Sequence, residues 1–319
     1  MINRMARQFL ILAAVMIGIG IAMALAVVFG MARMLLRPKR MTDARALFFL
    51  HRLSPDDLAM PFEDVTFRVI DEQTGRPLKI AAWWIPTQGS KKCAVLIHGY
   101  SDAKVGGIAW APMLRSLGFN VLAIDLRAHG ESDGLYSTAG FWERHDVSQV
   151  LDQTRAARPG ETEELILFGI SLGAATAAAT AALRSDLSAV ILEAPFADFE
   201  SATHLHADRM GAPGPVFQRA AYRLAQRLAG ADFSAVRPVD TIPQIQCPLL
   251  VIQSGDDPFL TDADHAAIAQ AVASQHSTRC AGVCWDIPGV HHVLGIMART
   301  QDYHRRIEEF LSQALPKSV

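Results

Sequence analysis

The apolar positions of this chain follow three different patterns. From 9 to 30 they are continuous: FLILAAVMIGIGIAMALAVVFG is a run of 22 residues without a charge. About 20 apolar residues are enough for a helix to cross a hydrocarbon core, so this run predicts a membrane-spanning helix. Its glycines are compatible with that reading, because membrane helices tolerate Gly better than soluble ones do. A cleaved signal peptide is the rival, with Arg4 and Arg7 as its basic end and Ala22-Met23-Ala24 or Ala24-Leu25-Ala26 as its cleavage site. Signal cores usually run about 7–15 residues, and this one is longer and continues past both sites. Arg33, Arg37, Lys39 and Arg40 follow the run and only Arg4 and Arg7 precede it. The positive-inside rule then favours a cytoplasmic position for the rest of the chain, although long domains cross regardless of such counts.

Beyond the run, short apolar stretches alternate with helical patterns. Residues 65–70 and 79–85 read as a hairpin around Glu72-Gln73-Thr74-Gly75. Further strands are expected at 94–97, 121–124, 165–168, 189–192, 249–252 and 283–287. The middle four of these are apolar throughout, as strands buried on both faces of a parallel sheet are. Between them Trp110, Met113, Leu114 and Leu117 recur at helical spacing. Val147, Val150, Leu151 and Thr154 do the same, and Tyr303, Ile307, Phe310, Leu311 and Ala314 mark a last helix. The pattern predicts an α/β fold: a mostly parallel central sheet with helices on both faces. Ligands of such sheets bind at the carboxyl ends of the strands. The expected organisation is a membrane anchor with a basic flank over 1–40, a linker over 41–61 and one α/β domain over 62–319.

Composition narrows the classes. Half of the 319 residues are hydrophobic, 19% are charged and the net charge is −2. That excludes intrinsic disorder and gives no electrostatic case for a nucleic-acid partner. Four cysteines cannot form a disulfide scaffold in a chain of this length. Cys93 and Cys247 sit at the starts of apolar runs, as buried thiols do, and Cys280 and Cys284 are close enough in sequence to pair in an oxidising compartment.

The chemistry concentrates just past the expected strands. Gly169-Ile170-Ser171-Leu172-Gly173 follows one apolar run and precedes an Ala-rich helix. This strand–turn–helix context turns G-x-S-x-G into a nucleophile elbow, with Ser171 exposed on a sharp turn. A serine hydroxyl needs a base to take its proton and a third group to orient that base. In chain order these are an acid and then a histidine. Asp256 and Asp257 follow the strand at 249–252, and His291 and His292 follow the strand at 283–287, with His292 the preferred base. Donors for an oxyanion are expected from the backbone N–H of Leu172 and of Tyr100, in the loop His98-Gly99-Tyr100-Ser101-Asp102. His98 reads as structural, and His129 as base breaks the chain order. His204, His206 and Asp208 alternate, and residues two apart on a helix do not share a face, so no metal site is expected there. With no phosphate loop, dinucleotide fingerprint or C-x-x-C, no cofactor is expected.

With these residues in view, the chain resembles the α/β-hydrolase superfamily, in particular the bacterial membrane-anchored serine hydrolases of the dienelactone hydrolase-like and S33 peptidase-like group. The resemblance rests on HGYSD at 98–102, DLRAHGESDG at 125–134, GISLG at 169–173, SGDDPF at 254–259 and PGVHH at 288–292. It implies that Asp257 is the triad acid, that His292 is the base and that a small cap occupies about 196–246. Gln253-Ser254 departs from the His-Gly that the family often carries. A serine at 171 implies cleavage of a small-molecule carboxylic ester, or a thioester, through an acyl-enzyme. The alternatives are an aminopeptidase, for which Glu193 or Glu200 would have to hold a substrate amino group, and a silent membrane-tethered binding module.

Overall fold

The computed structural model describes residues 2–275, 277 and 281–315. Cys280, the candidate partner of Cys284, lies outside them. Eight strands form one sheet: β1 (Glu63–Ile70), β2 (Pro77–Ile85), β3 (Lys92–Ile97), β4 (Phe119–Ile124), β5 (Glu164–Ile170), β6 (Ala189–Glu193), β7 (Leu249–Ser254) and β8 (Val283–Ile287). Their order is β1-β2-β4-β3-β5-β6-β7-β8. β1 and β2 form the antiparallel hairpin, β2 meets β4 antiparallel, and every later pairing is parallel.

The helices begin with α1 (Ile2–Leu36) and α2 (Asp43–Leu50), followed by the short α3 (Lys104–Gly107), α4 (Ala111–Ser116), α5 (Glu143–Ala157) and α6 (Leu172–Ala182). Then come α7 (Phe199–Arg209), α8 (Pro215–Ala229), the short α9 (Pro238–Thr241), α10 (Asp262–Ala273), the short α11 (Gly295–Ala298) and α12 (Thr300–Ala314).

The apolar strands are two-sided because alternate residues feed two cores. Leu165 and Leu167 join Val147, Val150 and Leu151 of α5 and the alanines of α6. Ile166 and Phe168 face the other way, towards Leu114 of α4 and Tyr303, Ile307 and Phe310 of α12. β4 to β7 are buried at every position but Glu164 at the start of β5, whereas the edge strand β8 is half exposed. Between β6 and β7 the chain leaves the sheet through α7, α8 and α9, the segment expected as the cap.

Two segments depart from the simple reading. α1 runs beyond the uncharged stretch, and its last turns pack on the domain: Ala32 and Leu36 are fully buried, and Met31 and Leu35 lie against the same core. Burying a leucine this way contributes about 1.5–3 kcal/mol. The 41–61 stretch is not a bare connector either. It holds α2 and a 3-10 turn (Pro55–Leu58), with Ala46 and Met60 buried against the second core. Arg40 reaches back to the loop after β4, donating to the carbonyls of Gly130 (2.8 Å) and Ser132 (2.7 Å).

Candidate active site

The elbow is formed by backbone that only glycine allows. Ser171 sits between β5 and α6 at φ 55°, ψ −115°, a region that costs a non-Gly residue on the order of 1–3 kcal/mol. A β-carbon on Gly169 would stand 2.2 Å from the Gly173 carbonyl oxygen, and one on Gly173 would stand 2.1 Å from that of Ile97. The two glycines therefore let the turn close against its own helix and against the end of β3. The Ser171 amide donates to the Glu193 carbonyl at 2.8 Å, tying the turn to β6.

The Asp257 and His292 loops are joined backbone to backbone. Gly255 N–H donates to Ile287 O (2.9 Å) and Asp256 N–H to Val290 O (3.0 Å). This register brings the Asp257 carboxylate, whose side chain is fully buried, to the ring of His292. His292 Nδ1 lies 2.6 Å from Asp257 Oδ2, and His292 Nε2 lies 2.9 Å from Ser171 Oγ. With Nδ1–H donating to the carboxylate, Nε2 is left as the acceptor for the serine hydroxyl proton. Asp257 Oδ1 accepts from Phe259 N–H (2.9 Å), and the Phe259 ring stacks edge-on against His292 at 4.8 Å. Val293 follows at φ 62°, unusual for a β-branched residue. Asp256 and His291 are exposed, and His291 Nδ1 reaches only the Asp256 carbonyl.

Across the serine, the loop after β3 passes close. A β-carbon on Gly99 would lie 3.4 Å from Ser171 Cβ. Among the described residues no backbone carbonyl accepts from the amide of Tyr100 or Leu172, and both residues line the cavity over Ser171. Leu172 also opens α6, where the helix dipole favours negative charge. His98 is buried, accepting from Leu126 N–H at Nε2 (3.0 Å) and donating from Nδ1 to Gly99 O (2.7 Å), so it shapes this loop. His129 packs against it, buried, with its pKa pushed down to about 3, mainly by burial.

The cavity has a volume of about 640 Å³ and is bordered by the loop after β3, the elbow, α7, α8 and the last turns of α1. This volume falls in the roughly 300–1,000 Å³ range of small-molecule sites. His204 and His206 both border it, and the His206 ring lies 5.4 Å from Phe259. Glu193 does not border it. Its side chain is sealed below the elbow, where the Trp110 indole (3.2 Å) and the Tyr303 hydroxyl donate to it, and burial raises its pKa to about 8. Glu200, in the first turn of α7, does not border the cavity either. Gln253, at the departure from the family pattern, contacts His265 Nδ1 (2.7 Å) and Cys284 Sγ (3.0 Å), bracing β7 against α10 and β8.

The sequence reading missed three features of this cavity. They are its wall from α1, Asp102 on its border, and the Tyr100 hydroxyl, which donates to the carbonyls of Met34 and Leu35. The spacing of Met31, Met34 and Leu35 marks one helix face, but in an all-apolar run nothing separates a face towards lipid from one towards a cavity.

A family model described as serine aminopeptidase, S33, matches residues 88–235. The uncharacterized protein YqkD of Bacillus subtilis is 25% identical over 239 residues, which cover 73% of this chain and 75% of that protein. Lysophosphatidylserine lipase ABHD12 of Macaca fascicularis is 26% identical over 255 residues, covering 68% of this chain but only 58% of the lipase. The Pyrococcus furiosus esterase Pf2001 superposes with a TM-score of 0.70 at 21% identity, over 88% of this chain and 99% of the esterase, a likeness of fold. The sheet order, the elbow and these matches together identify the fold as that of the α/β-hydrolases, and residues 88–235 as similar to the serine aminopeptidase, S33, family.

Proposed function

We propose that the protein hydrolyses carboxylic esters with an apolar acyl part, using Ser171 as nucleophile, His292 as base and Asp257 to orient it. The observation that carries this reading is the continuous chain of hydrogen bonds from Asp257 Oδ2 through His292 to Ser171 Oγ. As Ser171 Oγ attacks the ester carbon, its proton passes to His292 Nε2. The carbonyl oxygen becomes an oxyanion, for which the Tyr100 and Leu172 amides are the available donors. Collapse breaks the acyl–oxygen bond, and the alcohol leaves with the proton from His292. Water then repeats the sequence on the acyl-enzyme, releasing the acid and restoring the serine.

An ester is favoured over an aminoacyl substrate because neither Glu193 nor Glu200 borders the cavity to hold an amino group, and Asp102, which does border it, has its carboxyl engaged by Ala103 N–H (2.8 Å). The Ala6–Leu36 part of α1, 31 residues long and apolar enough to cross a membrane, serves in this reading as a membrane anchor. Incubation with a fluorophosphonate probe tests the reading. Wild type is expected to label at Ser171, while Ser171→Ala does not. Folded wild-type protein that resists labelling would favour the silent binding module instead.

A further inference from the structure

The cavity over Ser171 is walled on one side by the end of α1: Met31, Met34 and Leu35 border it, opposite Ala207 and Met210 at the end of α7 and Phe259 beside the histidine. Met31 and Ala32 continue the uncharged stretch beyond Gly30, and Arg33 is the first charge after it. At a helical rise of about 1.5 Å per residue, the five residues 31–35 span only about 7–8 Å. The wall therefore stands within two turns of the hydrocarbon edge. Arg33, exposed on the same turns, suits the headgroup layer. α8, which packs against α1, exposes Arg219, Arg223 and Arg227 at intervals of four, a basic ridge on the helix beside it.

Resting on the ester-hydrolase reading above, we propose that α1 is part of the substrate site and that the substrate is a single-chain amphiphilic ester drawn from the bilayer. Its acyl chain lies along Met31, Met34 and Leu35, with the ester carbonyl at Ser171. A chain that moves from lipid onto a wall continuous with the membrane helix need not cross water, so the cost of exposing its methylenes is avoided. A cavity of this size, lined mainly by apolar side chains, suits one chain. α1 then does more than tether the domain: its last turns set which chain lengths fit.

The test uses the full chain reconstituted in phosphatidylcholine vesicles. Turnover of 1-monoacylglycerols from octanoyl to oleoyl is compared with that of soluble p-nitrophenyl butyrate in the same preparation. Met31→Trp and Met34→Trp narrow the wall, and each is expected to lower the oleoyl-to-butyrate ratio of kcat/KM by about tenfold or more, moving the preferred chain towards octanoyl. Leu25→Trp, on an exposed face of α1 away from the cavity, is expected to leave that ratio unchanged. An unaltered ratio in both methionine variants, or an equal fall in Leu25→Trp, overturns the inference. Absence of butyrate turnover in wild type would instead overturn the ester reading beneath it.

Discussion

The hydroxyl of Tyr100 donates to the carbonyl oxygen of Met34, with that of Leu35 as a second acceptor at 3.3 Å. Two orphan carbonyls at the end of α1 are thereby satisfied by a residue that also lines the cavity over Ser171. Lys39 N–H to Ser101 Oγ (3.2 Å) adds a second tie between the same two segments. The position of α1 and the shape of the loop after β3 are thus coupled.

Tyr100→Phe cuts the main tie without altering the apolar surface. The expected result is a fall of about tenfold in kcat, the equivalent of one hydrogen bond of about 1.4 kcal/mol, with KM for a soluble ester little changed. Steady-state kinetics on p-nitrophenyl butyrate decide it. An unchanged kcat would mean that the loop holds its shape unaided.

Asp257→Asn keeps the shape of the buried acid but removes the charge that selects the His292 tautomer. Turnover is expected to drop by about 10⁴-fold, while Asp256→Asn, at an exposed neighbour, stays close to wild type. Circular dichroism on both variants separates a chemical loss from unfolding. The opposite ranking would transfer the role of the acid to Asp256.

His292→Ala removes the ring nitrogen that lies 2.9 Å from Ser171 Oγ, the base in the proposed reading. A loss of about 10²–10⁴-fold in turnover is expected, with an unfolding midpoint near that of wild type. His291→Ala is expected to lose little. Comparable activity of wild type and His292→Ala would rule out the assignment.

Glu193 gives stability a pH dependence of predictable sign. Its folded pKa is raised from 4.5 to about 8, chiefly by burial. Between those values the folded chain keeps a proton that the unfolded chain releases, so its contribution to stability is intact below pH 4.5 and is lost as pH climbs through 8. Glu193→Gln, which cannot ionise, is expected to flatten this slope and to unfold at a higher temperature than wild type at pH 9. Parallel melting curves of the two proteins across the window would contradict it.

Arg127 forms a bidentate pair with Asp146 (2.6 and 2.7 Å) and a third bond to Asp71 (3.1 Å), all buried. Arg127→Ala strands both carboxylates, and a loss of about 3–5 kcal/mol is expected. Urea denaturation followed by tryptophan fluorescence measures it. A loss below about 1 kcal/mol would show that water reaches the site and replaces the guanidinium.

Much of the fold was legible because its signals are local. The continuous apolar runs at 121–124, 165–168, 189–192 and 249–252 are buried at every position within their strands, since only a sheet covered on both faces needs such runs. The faces of α5 and α12 were read from spacing alone, and their apolar positions are buried. Gly169 and Gly173 announced a tight turn, and the turn is as tight as two missing β-carbons allow. The 41–61 stretch was less legible. Its eight-residue helix packs through a single buried alanine, too small a face to leave a periodic signal.

The sequence by itself determined the α/β class, the elbow, the pairing of acid and histidine just past successive strands, and a helix able to cross a membrane, because each is written in neighbouring residues. Only the tertiary structure decided the rest. That the His292 ring lies between Asp257 and Ser171, while Asp256 and His291 stay exposed, depends on the backbone ladder between residues 255–256 and 287–290, a contact between segments some 30 residues apart. That Glu193 lies sealed beneath the elbow, and that Met31, Met34 and Leu35 border the cavity, follows from how distant elements pack. Hydrophobic burial has no direction of its own, so an apolar residue records that it is covered but not by what.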